Sequence, residues 1–110
     1  MASVYEYIEQ NQQNHLEELK EFLRIPSVSA KSEHKPDIER ACNWVMEKMR
    51  AAGIENIVRH ETKGHPLVTG DWLHAPGKPT ILLYGHYDVQ PAEPFNLWTP
   101  PPFEPSVRDG

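Results

Sequence analysis

The sequence lacks most of what would tie it to a membrane, a nucleic acid or a disulfide framework. It has no apolar run of the roughly eighteen residues that a membrane-spanning helix needs. Its first ten residues, MASVYEYIEQ, carry charge where a secretory signal needs an apolar stretch, so no such signal is expected. Basic residues are in the minority: the net charge is −5 and the pI about 5.6, which disfavours a nucleic-acid partner. The single cysteine, Cys42, excludes an internal disulfide and any cysteine-cluster zinc finger. There is no glycine-rich phosphate loop and no G-x-S-x-G elbow, so phosphate-dependent enzymes and serine hydrolases of that type have no support. The expectation that remains is a soluble, cytoplasmic domain, and 110 residues are long enough for one domain with a real core. Proline is the one excess. There are 11, about twice the usual share, and six of them fall in residues 91–105.

The pattern divides the chain into a helical half and a strand-and-loop half, with no internal repeat. Ser3 followed by Glu6 predicts a capping box and a helix start. Leu16, Leu19 and Leu23, extended by Ile8, His15 and Phe22, form its apolar face. This helix must end before Pro26, because the residue preceding a proline is pushed toward extended backbone. Residues 26–35 read as a loop. Pro36 suits the first turn of a second helix, with Asp37 and Glu39 favourable at its positive end. Ile38, Ala41, Val45 and Met49 make its apolar stripe, flanked by Cys42 and Trp44, and Gly53 is the expected left-handed stop.

Short strands are expected over residues 54–61 and 67–74. Residues 80–84 (TILLY) form a continuous apolar run, which predicts a strand buried on both faces of a parallel or mixed sheet. Beyond Val89 the prolines forbid helix interiors and central strands, leaving an irregular or polyproline segment. Asp109-Gly110 is a hairpin-turn dipeptide.

Chemistry is concentrated where the apolar run ends. Ligands bind beyond the carboxyl ends of strands in open α/β sheets. Gly85 allows close approach to the backbone. In extended chain, side chains two apart share a face, so His86 and Asp88 would stand together. Two roles are open to such a pair. The carboxylate can fix the tautomer of a general base. Alternatively, the imidazole can hold a metal while the carboxylate supports it from behind. A polar strand end entering a loop would carry the same residues with no site at all.

The surroundings narrow this. The string ILLYGHYDVQP at 81–91, followed by Leu97-Trp98, PPFEP at 101–105 and VRDG at 107–110, resembles the di-zinc exopeptidases, the dipeptidase branch most of all. LRIPSVS at 23–29 is similar to that family's first helix and loop. The resemblance covers essentially the whole chain. It implies an α/β fold with helices packed on a mixed β-sheet. It also implies that residues 1–110 are the N-terminal portion of a metallopeptidase catalytic domain, without the lid or dimerisation domain. Residue by residue, His86 matches a zinc-ligating histidine and Asp88 the active-site aspartate that orients a ligand of the metal pair. The implied parent is a cytoplasmic homodimeric dipeptidase with two zinc ions and metal-activated water, with no nucleic-acid or membrane partner. Its substrate would be a dipeptide or an acyl-amino acid. A deacylase of the same family and a non-catalytic truncated or interaction fragment are the alternatives. One histidine cannot complete a catalytic zinc site. The 110 residues alone are therefore expected to be inactive, and an unpaired sheet edge should make them poorly soluble or oligomeric.

The remaining candidates read as structural. His15 flanks a helix face, His34 lies in the loop before the second helix, and His74 precedes a turn. His60 and His65 could approach a metal but have no carboxylate or cysteine cluster beside them. Cys42 suits a small core position. Glu104 reads as a solvated loop carboxylate. Trp98 and Phe103 are expected to pin the proline-rich loop.

Overall fold

A computed structural model describes residues 3–110, and these fall into two compact parts. One comprises the chain up to Pro26 together with Ala92–Gly110; the other is Ser27–Pro91.

In the first part, helix α1 (Val4–Leu23) starts on the expected box. The Glu6 carboxylate accepts from the Ser3 backbone N–H at 2.7 Å, and the Ser3 hydroxyl accepts from the Glu6 N–H at 3.2 Å. The helix ends two residues short of Ile25, as the following proline requires. It buries none of its side chains fully: Leu16 and Phe22 are half-buried, and Ile8, Leu19 and Leu23 are exposed. Local bonds therefore carry much of its order, including the Lys20–Glu17 pair at 3.0 Å. The stretch Ala92–Gly110 is irregular apart from a short 3-10 turn at Phe95–Leu97, as its prolines dictate. Trp98 donates its indole N–H to the Ala92 carbonyl at 2.8 Å, so the loop is pinned on itself. Asp109 and Gly110 have φ of +52° and +88°, the signs a type I′ turn needs.

The second part is built on helix α2 (Lys35–Ala51), which enters through a 3-10 turn at Ser32–His34. Asp37 sits in its first turn and accepts from His34 Nδ1 at 2.8 Å and from Arg40 at 2.9 Å. Gly53 closes the helix at φ +84°. Ile38, Ala41 and Cys42 of the expected stripe are buried, and Val45 and Met49 are half-buried. Against α2 lies an antiparallel hairpin, β1 (Glu55–His60) and β2 (Leu67–Asp71). Val58 pairs with Thr69 and His60 with Leu67, and the register slips between Glu55 and Val58. Asn56 takes a left-handed φ of +50° in that slip and donates to Asp71 at 3.0 Å. Arg59 grips both carboxylate oxygens of Glu39 on α2, at 2.5 and 2.8 Å, and so ties helix to hairpin. Gly70 lets them meet closely. A Cβ there would stand 2.6 Å from Ile54 Cγ2 and 2.8 Å from Met49 Cε.

The α/β class is observed, with two corrections. The sheet is two-stranded and antiparallel; parallel pairing among the described residues is confined to an isolated bridge between Val28 and Val89. Residues 80–84 form no strand and are not buried: Ile81 through Tyr84 are 79–92% exposed. A continuous apolar run signals burial on two faces, but neither β1 nor β2 pairs with it. No helix among the described residues is long and apolar enough to cross a membrane.

Candidate metal centre

Just past that exposed run, the backbone is caught by residues 27–29. The Val89 N–H donates to the Ser27 carbonyl at 2.9 Å, and the Ser27 hydroxyl donates to the Tyr87 carbonyl at 2.8 Å. Ser27 and Val28 are both buried. Tyr87 anchors the same stretch from its side chain, donating its hydroxyl to the Pro66 carbonyl at 2.6 Å. Burial, reinforced by the neighbouring Cys42, pushes the Tyr87 hydroxyl up to about 12. Burial likewise raises the Cys42 thiol, which is a core residue rather than a nucleophile.

This clasp sets the pair singled out from the sequence. His86 Nδ1 lies 2.9 Å from the backbone carbonyl of Asp88 and 3.1 Å from its Oδ1. A carbonyl oxygen only accepts, so Nδ1 carries the proton. The lone pair is then on Nε2, on a side chain 71% exposed. Asp88 is held at its other oxygen, where Ser29 donates its hydroxyl to Oδ2 at 2.6 Å. That bond, opposed by partial burial and helped by His86, keeps the Asp88 carboxyl below its usual range. An imidazole with one nitrogen bonded to a carboxylate and the other free is the arrangement metal-binding histidines adopt. The donor set thus fits one ligand position. Among the described residues, no three side chains able to bind a metal stand together.

The other candidates are dispersed. His60 meets Thr69 across the hairpin at 2.8 Å, and His65 donates Nε2–H to the Ser29 carbonyl at 2.8 Å, so they do not converge. His74 bonds Glu55 at 2.7 Å, His34 bonds Asp37, and His15 packs near Tyr7 with ring centres 6.0 Å apart. Glu104 is exposed. Ser29 carried no individual signal in the sequence. It is one of three serines in a loop, and its partner is 59 residues away.

No protein-family model matches the chain. Curated relatives do. It is 30% identical to the Cys-Gly metallodipeptidase DUG1 of Candida albicans, over 94% of this chain and 24% of that protein. It is 36% identical to the cysteinylglycine-S-conjugate dipeptidase of Corynebacterium striatum, over 91% of this chain and 22% of that one. A shorter match, 64% of this chain at 49% identity, is to a succinyl-diaminopimelate desuccinylase of Xanthomonas oryzae. Among solved structures, the dipeptidase Dug1p of Saccharomyces cerevisiae superposes with a TM-score of 0.78 at 25% identity, over 88% of this chain and 22% of that one. The chain spans about a quarter of the length of the dipeptidases it matches. Over nearly its whole length the chain is similar to these metallodipeptidases, and its fold is the one Dug1p has over the matching stretch.

Proposed function

We propose that this chain belongs to the metallodipeptidase family and supplies one ligand, His86, and its orienting carboxylate, Asp88, to the metal centre of a dipeptidase. Residues 1–110 are then an N-terminal portion of the catalytic domain, and the remaining ligands come from outside them. The observation that carries this is the His86–Asp88 contact, which leaves Nε2 as the free nitrogen. The relatives' names supply the substrate class, a dipeptide of the Cys-Gly kind.

A bound metal supplies Lewis acidity at the scissile carbonyl and activates water. The chain's own residues prepare for it. Asp88 holds the imidazole in one tautomer and one orientation, and Ser29 keeps the carboxylate in place. Two zinc ions and a homodimeric enzyme rest on the family resemblance. A cytoplasmic setting accords with a single, buried, unpaired cysteine. Within the same family, hydrolysis of an N-acyl amino acid is the second reading, favoured by the 49% identity to a desuccinylase.

The test is a transplant. The 110 residues replace the matching segment of Dug1p, and metal-dependent release of glycine from Cys-Gly is measured beside release of succinate from an N-succinyl amino acid. The expected result is chelator-sensitive Cys-Gly hydrolysis, abolished by His86→Ala and lowered about 10–100-fold by Asp88→Ala. The 110 residues alone, given zinc, should release nothing. Hydrolysis by the chain alone, or activity indifferent to His86→Ala, would contradict the proposal.

A further inference from the structure

We infer that Ser29 is a positioning residue for this site: its hydroxyl locks the Asp88 carboxylate in the rotamer that faces His86. The inference rests on the reading of His86 as a ligand and goes beyond it, to a loop far away in sequence.

The geometry gives the carboxylate a division of labour. Oδ1 receives the imidazole at 3.1 Å and Oδ2 receives the Ser29 hydroxyl at 2.6 Å. The second bond is the shorter, as expected for a hydroxyl donating to a carboxylate. Asp88 is 43% exposed in its side chain, so packing alone does not fix its rotamer. Ser29, by contrast, is fixed from several sides. Its carbonyl accepts from His65 Nε2 at 2.8 Å, and two residues earlier Ser27 exchanges bonds with both Tyr87 and Val89. The hydroxyl is therefore held in place by backbone already tied down, and the flexible carboxylate turns to meet it. A preset donor of this kind fixes a ligand's support at little further entropic cost.

The experiment uses the 110-residue chain labelled with 13C and 15N. The couplings that report Asp88 χ1 are measured together with the ring nitrogen shifts of His86 and the amide spectrum. In the wild type, Asp88 should show a single rotamer and His86 the Nδ1–H tautomer. Ser29→Ala should average the Asp88 couplings, with amide shifts outside the clasp unchanged and the Nδ1–H tautomer of His86 kept by the Asp88 backbone carbonyl. Ser29→Thr, which keeps the hydroxyl, should restore wild-type values. A single, wild-type Asp88 rotamer in Ser29→Ala overturns the inference, as does Ser29→Thr behaving like Ser29→Ala. Should Ser29→Ala fail to fold, Ser29→Cys, similar in size but a weak donor, is read the same way: averaging supports the inference and a fixed rotamer overturns it. The underlying ligand reading fails separately, through an Nε2–H tautomer in the wild type.

Discussion

Residues 81–84 and 87–89 are separated only by Gly85 and His86, and they meet opposite fates. The first are apolar and almost wholly exposed, without regular structure. The second include a tyrosine and an aspartate and are partly buried, held by Ser27, Ser29 and the Pro66 carbonyl. Hydrophobicity states what a segment would gain from burial, not whether a partner stands beside it. Polar side chains given specific partners can be the better held. In this chain the candidate site belongs to the held stretch, immediately after the free one.

The sharpest way to break that contrast is to empty the core of the second part while trimming the exposed run. Ile38→Ala removes a fully buried side chain and should cost about 2–5 kcal/mol of unfolding free energy. Leu82→Ala, at a far more apolar-looking site, should stay within about 0.5 kcal/mol. Denaturant titration of both variants checks the pair, and equal losses would mean that residues 81–84 are buried in solution.

Gly70→Ala probes the frame that carries the clasp. The new methyl would press on Ile54 and Met49, and the expected loss is about 1–3 kcal/mol, read as a lowered thermal midpoint. A neutral result would show that the hairpin does not sit tightly on α2.

Tyr87→Phe leaves the buried Pro66 residue's carbonyl without its donor and should cost about 1–2 kcal/mol. It also carries a pH signature. The folded hydroxyl is raised to about 12, above an ordinary value of about 10. Its stabilising contribution is then full below pH about 10 and is lost as pH rises through the folded value. The wild type should lose stability over that window more steeply than the phenylalanine variant, and parallel curves would count against the bond.

Asp88 gives the smallest and opposite effect. Its folded carboxyl lies below the usual range, so its contribution is present above pH about 4 and fades as pH falls further. Asp88→Asn should flatten that acid limb in a pH series of urea midpoints. An unchanged limb would mean that the Ser29 bond contributes nothing to folding.

Local grammar was largely readable. Ser3 and Glu6, Pro36 and Gly53 each act within one turn of their own position, and the structure puts the helix ends beside them. The side-chain period of extended chain was enough to bring His86 and Asp88 together. Partners distant in the chain were not readable. Nothing in the sequence shows that residues 80–84 lack a neighbouring strand, since pairing is a property of two segments. Nor does a serine loop announce which serine meets an aspartate 59 residues on. The match to LRIPSVS includes the loop that reaches Asp88 but does not say what its hydroxyls do.

A metal can reach His86 only at the nitrogen that carries no proton. The 15N shifts of the ring, recorded at about pH 8 where an ordinary imidazole is neutral, identify that nitrogen in one spectrum. A protonated Nδ1 with an unprotonated Nε2 is the expected result, with added zinc perturbing the Nε2 signal. A protonated Nε2 would contradict the account, because the nitrogen meant for the metal would then be occupied by its own proton.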